Sequence, residues 1–452
     1  MINKHYADMG LVIGNDDITG AMIRISEEER RYNNIVLGSV GHGNLATVTL
    51  PIIKQDLDNM THYINLITSL KKESKVEEEV IQGRFINSIT ILGTSNQLCE
   101  KVIQLAKANG LKDESITYID PNNPNSLGIN IMNGTTDEVL QAFQMLINTF
   151  ESPFIHASLN EHLFYYLFLL KEHEANQSIT IDMLVKMYND IQLVHNMHMK
   201  LKKRIELELP NEQGKVKQHD ENEHWQLIKK VDKWFDDAIV PLKDEEDNRF
   251  IDTSEKYIKG LRTLLNDIVK STFIRRMIFN PLAFDFEQHT EAAGRVVLVN
   301  LDKGKLPQWV GKTILNNIQN AVFLRKHPTT FNHLIVDDVD DLLYQEFLAL
   351  ITQSPIFKVN ITLSMSQLKR IEERLGKDYV DTILINMRNR FYTGGISIQD
   401  TKTVEESFRL STVTEQIGQF IYISPQIKAY NVKPNFVKPE DFIESVVKVL
   451  EK

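Results

Sequence analysis

The chain has 452 residues, of which 42% are hydrophobic and 25% charged, the balance of a soluble globular protein with two or three domains. Its formal net charge of −10 argues against a generally basic surface for nucleic acid, and its single cysteine, Cys99, excludes an internal disulfide and a cysteine-based zinc site. The longest apolar run, Leu163–Leu170, is far shorter than the ~20 residues that span a bilayer. The N-terminus lacks the apolar run of a secretory signal, so we expect a cytoplasmic protein without a membrane span.

Strands and helices alternate in the first third of the chain. Leu11–Ser26 has the turn-rich centre of a β-hairpin, and three apolar strand patterns follow with helical patterns between them: "IVLG", "SITILG" and "SITYIDP". Alternation of this kind predicts a mostly parallel sheet covered on both faces.

From Asp137 to about Lys270 nearly every segment has the periodicity of a helix. After Pro281 the alternation returns with "RVVLVNLD", "HLIVDD", "NITLSM" and "NRFYTGG". We therefore predict one α/β core built from residues 1–136 and 281–452, interrupted by an all-α domain at residues 137–280.

The sequence "GSVGHGNL" has the glycine spacing of a phosphate-binding loop, Gly-x-x-x-x-Gly-Lys-[Ser/Thr], between a strand and a helix. Gly38 and Gly43 occupy the two glycine positions, and Gly41 lies between them. Asn44 and Leu45 stand where such a loop has a lysine for the phosphates and a hydroxyl for Mg²⁺. The alternative interpretation is an ordinary glycine-rich turn from strand to helix.

A second half-motif is "HLIVDD", an apolar strand that ends in Asp337 and Asp338. In a Walker B strand the first acid holds Mg²⁺ through water and the second polarises the attacking water. The alternative is a buried strand followed by a solvated acidic cap, because Asp340 and Asp341 continue the run. Two half-motifs in this order, each on the expected element, favour a P-loop core.

The order of segments along nearly the whole chain resembles that of the coupling-protein ATPases of conjugation and type IV secretion, the TraG/TraD-like group. The resemblance rests on the opening hairpin and on collinear segments: "VLGSVGHGNLATVTLPIIKQDL", "SITYIDPNNPNSLGINIMNGTTDEV", "GRVVLVNLDKGKLPQWVGKTILNNIQ", "HLIVDDVDDLL" and "GQFIYISP". It implies a RecA-like P-loop core with an inserted all-α domain, and a ring oligomer. It also implies DNA or protein partners in a DNA-transfer apparatus, such as an intact coupling ATPase, and recruitment to the inner face of the membrane.

The resemblance further implies a sensor glutamine at Gln367, in "SMSQL", and an arginine finger at Arg388 or Arg390, in "NMRNRFYTGG". For the two arginines a surface salt bridge is the alternative interpretation. The charged motif that follows the second strand in this family is replaced by Thr94, Ser95 and Asn96.

The substitutions in the loop remove catalytic chemistry. The neutral amide of Asn44 cannot replace a lysine ammonium, and Leu45 offers Mg²⁺ no oxygen. Asp338 is one methylene shorter than the family's glutamate, so a water that it polarised would be misplaced. We assign no cofactor. The backbone amides of the loop can hold phosphate or ATP only weakly, and Mg²⁺ lacks the hydroxyl ligand that the motif normally supplies.

These observations predict a hydrolysis-deficient relative of the coupling ATPases that acts as a structural or regulatory partner. Two alternatives stay open: an active DNA-translocating ATPase whose lysine comes from elsewhere, and a non-catalytic binding module that keeps only the fold.

Three further groups have a plainer interpretation. Arg275-Arg276 and the basic run Lys200–Arg204 can meet DNA phosphates, but a solvated helix face explains them as well. His195 and His198 have a spacing that can hold a metal, yet no third ligand is evident, so no metal site is predicted.

Overall fold

The computed structural model describes residues 9–39, 41–72, 86–150, 153–174, 178–208, 223–242, 249–292, 294–326, 328, 331–408 and 418–442. The chain divides into two compact units, one formed by Met1–Ser126 with Asp285–Lys452 and the other by Leu127–Phe284. None of the described helices has the length and hydrophobicity to cross a membrane.

The strands of the described residues are β1 Leu11–Asp16, β2 Met22–Ile25, β3 Asn34–Gly38, β4 Ile86–Gly93, β5 Ile116–Ile119, β6 Ile239–Pro241, β7 Phe250–Asp252, β8 Arg295–Asn300, β9 Phe331–Val336, β10 Val359–Met365, β11 Asn389–Gly394, β12 Phe420–Ile423 and β13 Ala429–Pro434. The α-helices are α1 Glu27–Arg30, α2 Leu50–Lys72, α3 Asn96–Ala108, α4 Thr136–Ile147, α5 Pro153–His173, α6 Ile181–Asn189, α7 Ile191–Glu208, α8 Glu223–Ala238, α9 Glu255–Lys270, α10 Thr272–Ile278, α11 Phe286–Glu291, α12 Gln308–Phe323, α13 Phe347–Gln353, α14 Leu368–Leu375, α15 Lys377–Asn386 and α16 Ile398–Phe408.

One sheet of the first unit has the strand order β2-β1-β13-β12-β11-β3-β10-β9-β4-β8-β5. The seven strands from β11 to β5 are parallel, and those from β12 to β2 pair antiparallel. The mostly parallel sheet is therefore confirmed. The strand before the glycine loop, β3, and the strand before the acidic run, β9, lie in the same sheet with only β10 between them.

The central strands are buried on both faces, as their apolar sequences predict. Every residue of β3, β9 and β10 is buried. On one face α2 and α3 pack against β4, β8 and β9 through a single apolar cluster. Cys99 of α3 belongs to this cluster and has no exposed surface, so it is a core residue.

A buried polar network joins the helix after the glycine loop to the central strands. Arg30 donates to Oδ2 of Asp56 over 2.6 Å, and Nδ1 of His333 lies 2.6 Å from the same oxygen. Nε2 of His333 lies 2.7 Å from the hydroxyl of Thr362. These contacts connect α1, α2, β9 and β10 within the core, where Arg30, Asp56 and His333 have no exposed surface.

The second unit is predominantly helical, but the prediction that it is all-α is wrong. The segment after α8 pairs as a short antiparallel hairpin, with Ile239 opposite Asp252 and Pro241 opposite Phe250. Pro241 lacks the N–H that a continuing helix needs, which favours an end to α8 before it. The carboxylate of Asp252 lies 2.8 Å from Nε2 of His162 and accepts from Tyr166, so buried polar contacts hold the hairpin to α5.

Candidate functional site: the loop after strand β3

The glycine loop connects β3 to α2 and depends on its glycines for different reasons. Gly41 and Gly43 have φ angles of +90° and +100°, a region that side chains rarely adopt. A Cβ at Gly38 would lie 2.0 Å from Oγ1 of Thr393 on β11, so only glycine fits between the two strands. The backbone N–H of Ser39 donates to Gly394 over 3.1 Å, which ties the loop to the end of β11.

The helix after the loop begins at Asn44, directly after the second glycine of the motif. Its first turn, Asn44–Thr49, is π-helical, and the N–H of Leu50 bonds the carbonyl of Leu45. Pro51 accommodates this wider turn because it has no N–H to donate to Thr47 in an α-helical register. The N–H of Thr47 bonds the carbonyl of Gly43 over 2.8 Å, whereas the N–H groups of Asn44, Leu45 and Ala46 precede the hydrogen bonds of the helix.

Asn44, at the lysine position of the motif, has both ends of its side chain occupied. Its Nδ2 donates to the carbonyl of Gly38 over 2.7 Å, and its Oδ1 accepts from the hydroxyl of Thr393. The amide therefore closes the loop on itself and on β11.

Leu45, at the position of the magnesium ligand, is half-buried and packs against the apolar cluster formed by α2, α3 and the sheet. An alkyl side chain in this place offers a hard cation no oxygen.

Asp337 and Asp338 follow β9 and face the same cavity as the loop. Burial raises the pKa of Asp337, and a hydrogen bond from Ser364 opposes that rise. Asp338 has a φ of +52°, and its Oδ2 lies 2.5 Å from Nζ of Lys303 and 3.3 Å from Oγ1 of Thr94. Lys303 is not predicted as a site residue, because it lies in the loop after β8 and only the folded sheet brings it to Asp338.

The other two acids of the run are structural and buried, so the alternative of a solvated cap does not describe them. Asp340 is 1% exposed and accepts from the backbone N–H groups of Ser366 and Gln367 over 2.9 and 3.0 Å. Asp341 pairs with Arg370 over 2.6 Å. Both therefore fix the segment that leaves β10.

The cavity has a volume of about 400 Å³ and is lined by the loop with the first helical residues, by the segments after β4 and β9, and by the end of β10. Pockets for small molecules have volumes from about 300 to 1,000 Å³. Among the described residues its lining contains no lysine and, at position 45, no hydroxyl. The lining therefore does not fit a magnesium–nucleotide complex held as in a standard P-loop. The cavity has room for a small anion, and the backbone amides at the start of the helix can bind one.

The other predicted site residues lie outside this cavity. Gln367 is exposed, and its backbone begins α14. Arg388 and Arg390 lie at the opposite end of β11 from the loop, whose contacts are with Thr393 and Gly394. The guanidinium of Arg388 stacks 4.2 Å from the ring centroid of Tyr32. Arg390 is 5% exposed and donates to Leu384 over 2.7 Å, so in this conformation it cannot reach a neighbouring subunit.

The basic clusters of the second unit are ion-paired in the described residues. Arg275 forms a two-point contact with Asp182 at 2.6 and 2.8 Å. Lys202 and Arg204, in the run Lys200–Arg204, pair with Asp236 and Glu172, both at 2.7 Å. These contacts favour the interpretation as helix surfaces over a dedicated DNA-binding patch.

No family model and no curated protein matches the chain. Solved structures do. VirB4 of Thermoanaerobacter pseudethanolicus matches with a TM-score of 0.52 and 12% identity, over 96% of this chain and 98% of that one. The unbound bacterial conjugative coupling protein TrwBdeltaN70 matches with a TM-score of 0.54 and 10% identity, over 94% of this chain and 91% of that one. TrwB in complex with the ATP analogue ADPNP matches with a TM-score of 0.52 and 10% identity, over 94% and 92% of the two chains.

These likenesses cover both units of the chain at low identity, and they agree with the parallel sheet in which β3 and β9 flank β10. The chain has the RecA-like α/β fold of VirB4 and of the conjugative coupling protein TrwB.

Proposed function

We propose that this chain is a hydrolysis-deficient relative of the conjugative DNA-transfer ATPases. In this role it serves as a structural or regulatory partner in a DNA-transfer or type IV secretion apparatus. The fold supports the relationship, and the loop supports the loss of hydrolysis. The single observation that carries the proposal is the side chain of Asn44, which replaces the lysine and is already bonded to Gly38 and Thr393.

Two neighbouring positions support the same conclusion. Leu45 packs against the apolar cluster, so position 45 supplies no magnesium ligand. Oδ2 of Asp338 already contacts the ammonium of Lys303 at 2.5 Å and the hydroxyl of Thr94 at 3.3 Å, so this oxygen is occupied where an attacking water would need an acceptor. Without the metal, the carboxylate of Asp337 repels a triphosphate.

A phosphate-release assay tests this function directly. Wild-type protein is incubated with ATP and Mg²⁺, with and without DNA, and inorganic phosphate is measured by malachite green. We expect release equal to that of buffer in both conditions. Release that rises with protein concentration and is stimulated by DNA would contradict the proposal.

The second candidate is an active translocating ATPase with a lysine supplied from outside the loop. The observation that favours it is Lys303, whose ammonium lies beside a carboxylate of the cavity lining. If the assay detects turnover, which contradicts the first candidate, Lys303→Met tests whether Lys303 is the missing lysine. Loss of turnover in this variant supports the second candidate, and unchanged turnover excludes Lys303 as the missing lysine.

For the partner, we propose an intact coupling ATPase with which this chain assembles into a mixed ring. Multi-angle light scattering of this chain alone and mixed with such an ATPase measures the assembly. A complex larger than either component supports the proposal, and two separate peaks with unchanged masses contradict it.

A further inference from the structure

Three potential metal ligands of the second unit meet between α7 and α8. His198 projects from α7, and Asp232 and Asp236 lie one helical turn apart on α8. Nε2 of His198 lies 2.7 Å from Oδ1 of Asp232 and 4.0 Å from Oδ1 of Asp236, and all three ligand atoms lie within 4.8 Å of one another. The side chain of His198 is 2% exposed, so its imidazole has a fixed direction.

The two distances from Nε2 of His198 to the aspartate oxygens lie on either side of the distance between two ligand atoms of a zinc site. Zinc–nitrogen and zinc–oxygen bonds of about 2.0–2.2 Å place tetrahedral ligands about 3.3 Å apart. One observed distance is shorter than this value and the other is longer, so small rotations of the two aspartate side chains suffice. We propose that His198, Asp232 and Asp236 bind a divalent transition-metal ion of the Zn²⁺ type, with water as the fourth ligand, and that the ion fastens α7 to α8.

The charges around the cluster favour a cation. Asp232 and Asp236 bring two carboxylates to one imidazole, and the described cation in direct contact with them is Lys202. Its Nζ lies 2.7 Å from both oxygens of Asp236 and is held by a half-exposed side chain. A divalent ion therefore competes with Lys202 for Asp236, and the displaced ammonium can turn into solvent.

The chain contains matched control residues for a test. His195 lies on the same helix three residues before His198, but its ring stacks on Phe250 at 3.8 Å and is not in the cluster. Lys202 is the competitor, so Lys202→Met removes an exposed ion pair without removing a ligand. Asp236 is partly exposed, so Asp236→Asn removes a ligand with little risk to the fold.

The measurement is titration of untagged full-length protein with Zn²⁺ by calorimetry and with Co²⁺ by visible absorption, which reports tetrahedral coordination. We expect one equivalent to bind to the wild type and to His195→Gln. Binding to Asp236→Asn and to His198→Gln weakens by about tenfold or more, since loss of even a residue that only orients a ligand costs about 10–100-fold in metal affinity. Binding to Lys202→Met tightens by up to about fivefold, the worth of an exposed ion pair.

Wild-type protein that binds no ion would overturn the proposal. So would an Asp236→Asn variant that keeps the wild-type circular dichroism spectrum and binds Zn²⁺ as tightly as the wild type. His198 is buried, so His198→Gln can fail to fold for reasons unrelated to metal binding. Asp236→Asn changes a partly exposed ligand and therefore keeps the test decisive.

Discussion

The hydroxyl of Thr393 donates to Oδ1 of Asn44, so the glycine loop is bonded through a side chain to a strand that is distant in sequence. Nδ2 of the same amide donates to the carbonyl of Gly38 over 2.7 Å. Asn44 thus satisfies polar groups of the loop that would otherwise need water or a ligand. The residue at the lysine position of the motif therefore makes both of its side-chain contacts within the protein.

A double-mutant cycle tests this contact. Asn44→Ala leaves the carbonyl of Gly38 and the hydroxyl of Thr393 without their partner, which costs about 1–3 kcal/mol of unfolding free energy. Thr393→Val removes the other side of the bond. We expect the two changes to couple by about 0.5 kcal/mol or more in urea unfolding. Strictly additive effects would show that the two side chains do not interact.

Asp56 and Asp58 offer a matched comparison on α2. Asp56 is fully buried with Arg30 and His333, whereas Asp58 pairs with Lys54 and is 42% exposed. Burial alone would raise the pKa of Asp56, but Arg30 and then His333 hold it below its ordinary value. Asp56→Ala leaves a buried guanidinium uncompensated and should cost about 3–5 kcal/mol of unfolding free energy. Asp58→Ala should cost at most about 1 kcal/mol. Equal costs in chemical denaturation would contradict the network.

His289 predicts a loss of stability in mild acid. Burial, and then repulsion from Arg295, lowers its pKa from 6.5 to about 3. Because the folded value is the lower one, the unfolded chain takes up the proton first, and stability falls as the pH drops below 6.5. Between pH 7.5 and 5.5 this group removes about 1.4 kcal/mol.

The check is urea unfolding of the wild type and of His289→Gln at both pH values. Between pH 7.5 and 5.5 the wild type should lose about 1.4 kcal/mol more unfolding free energy than the variant. The other histidines are the same in both proteins and affect them alike. Identical losses in the two proteins would exclude His289 as the source.

Most central strands could be predicted from the sequence because each is an apolar run between turn signals. The strand β13 was missed, since its sequence "AYNVKP" has little alternation and only Val432 is buried. The helical periodicity of the second unit does not show where one helix ends and the next begins: Asp190 has φ and ψ of −135° and 89°, which separates α6 from α7.

At the candidate site, the contacts between residues far apart in the chain could not be predicted from the sequence. The pattern of glycines and acids identified the loop and β9, because both signals are local. The partners of Asn44 and Asp338 lie at Thr393 and Lys303, and only the folded sheet brings them together. For the same reason His198 was considered with His195 on its own helix, whereas its carboxylate neighbours lie on α8.

Repair of the loop tests the central claim, that an intact P-loop frame has lost its catalytic side chains. The variant combines Asn44→Lys with Leu45→Thr and leaves Asp338 unchanged, because its φ of +52° suits aspartate better than glutamate. Asn44→Ala is the control: it breaks the hydrogen bond between the loop and Thr393 but adds no lysine.

The decisive measurement is calorimetric titration of ATP, with and without Mg²⁺, into the wild type, the control and the repaired variant. We expect binding to the repaired variant that depends on Mg²⁺ and is more than about tenfold tighter than binding to the other two proteins, since one charge-assisted contact is worth about 1.5–3 kcal/mol. Equal, undetectable binding by three proteins with the same circular dichroism spectrum would contradict it, and "GSVGHGNL" would then be a turn that never held a nucleotide.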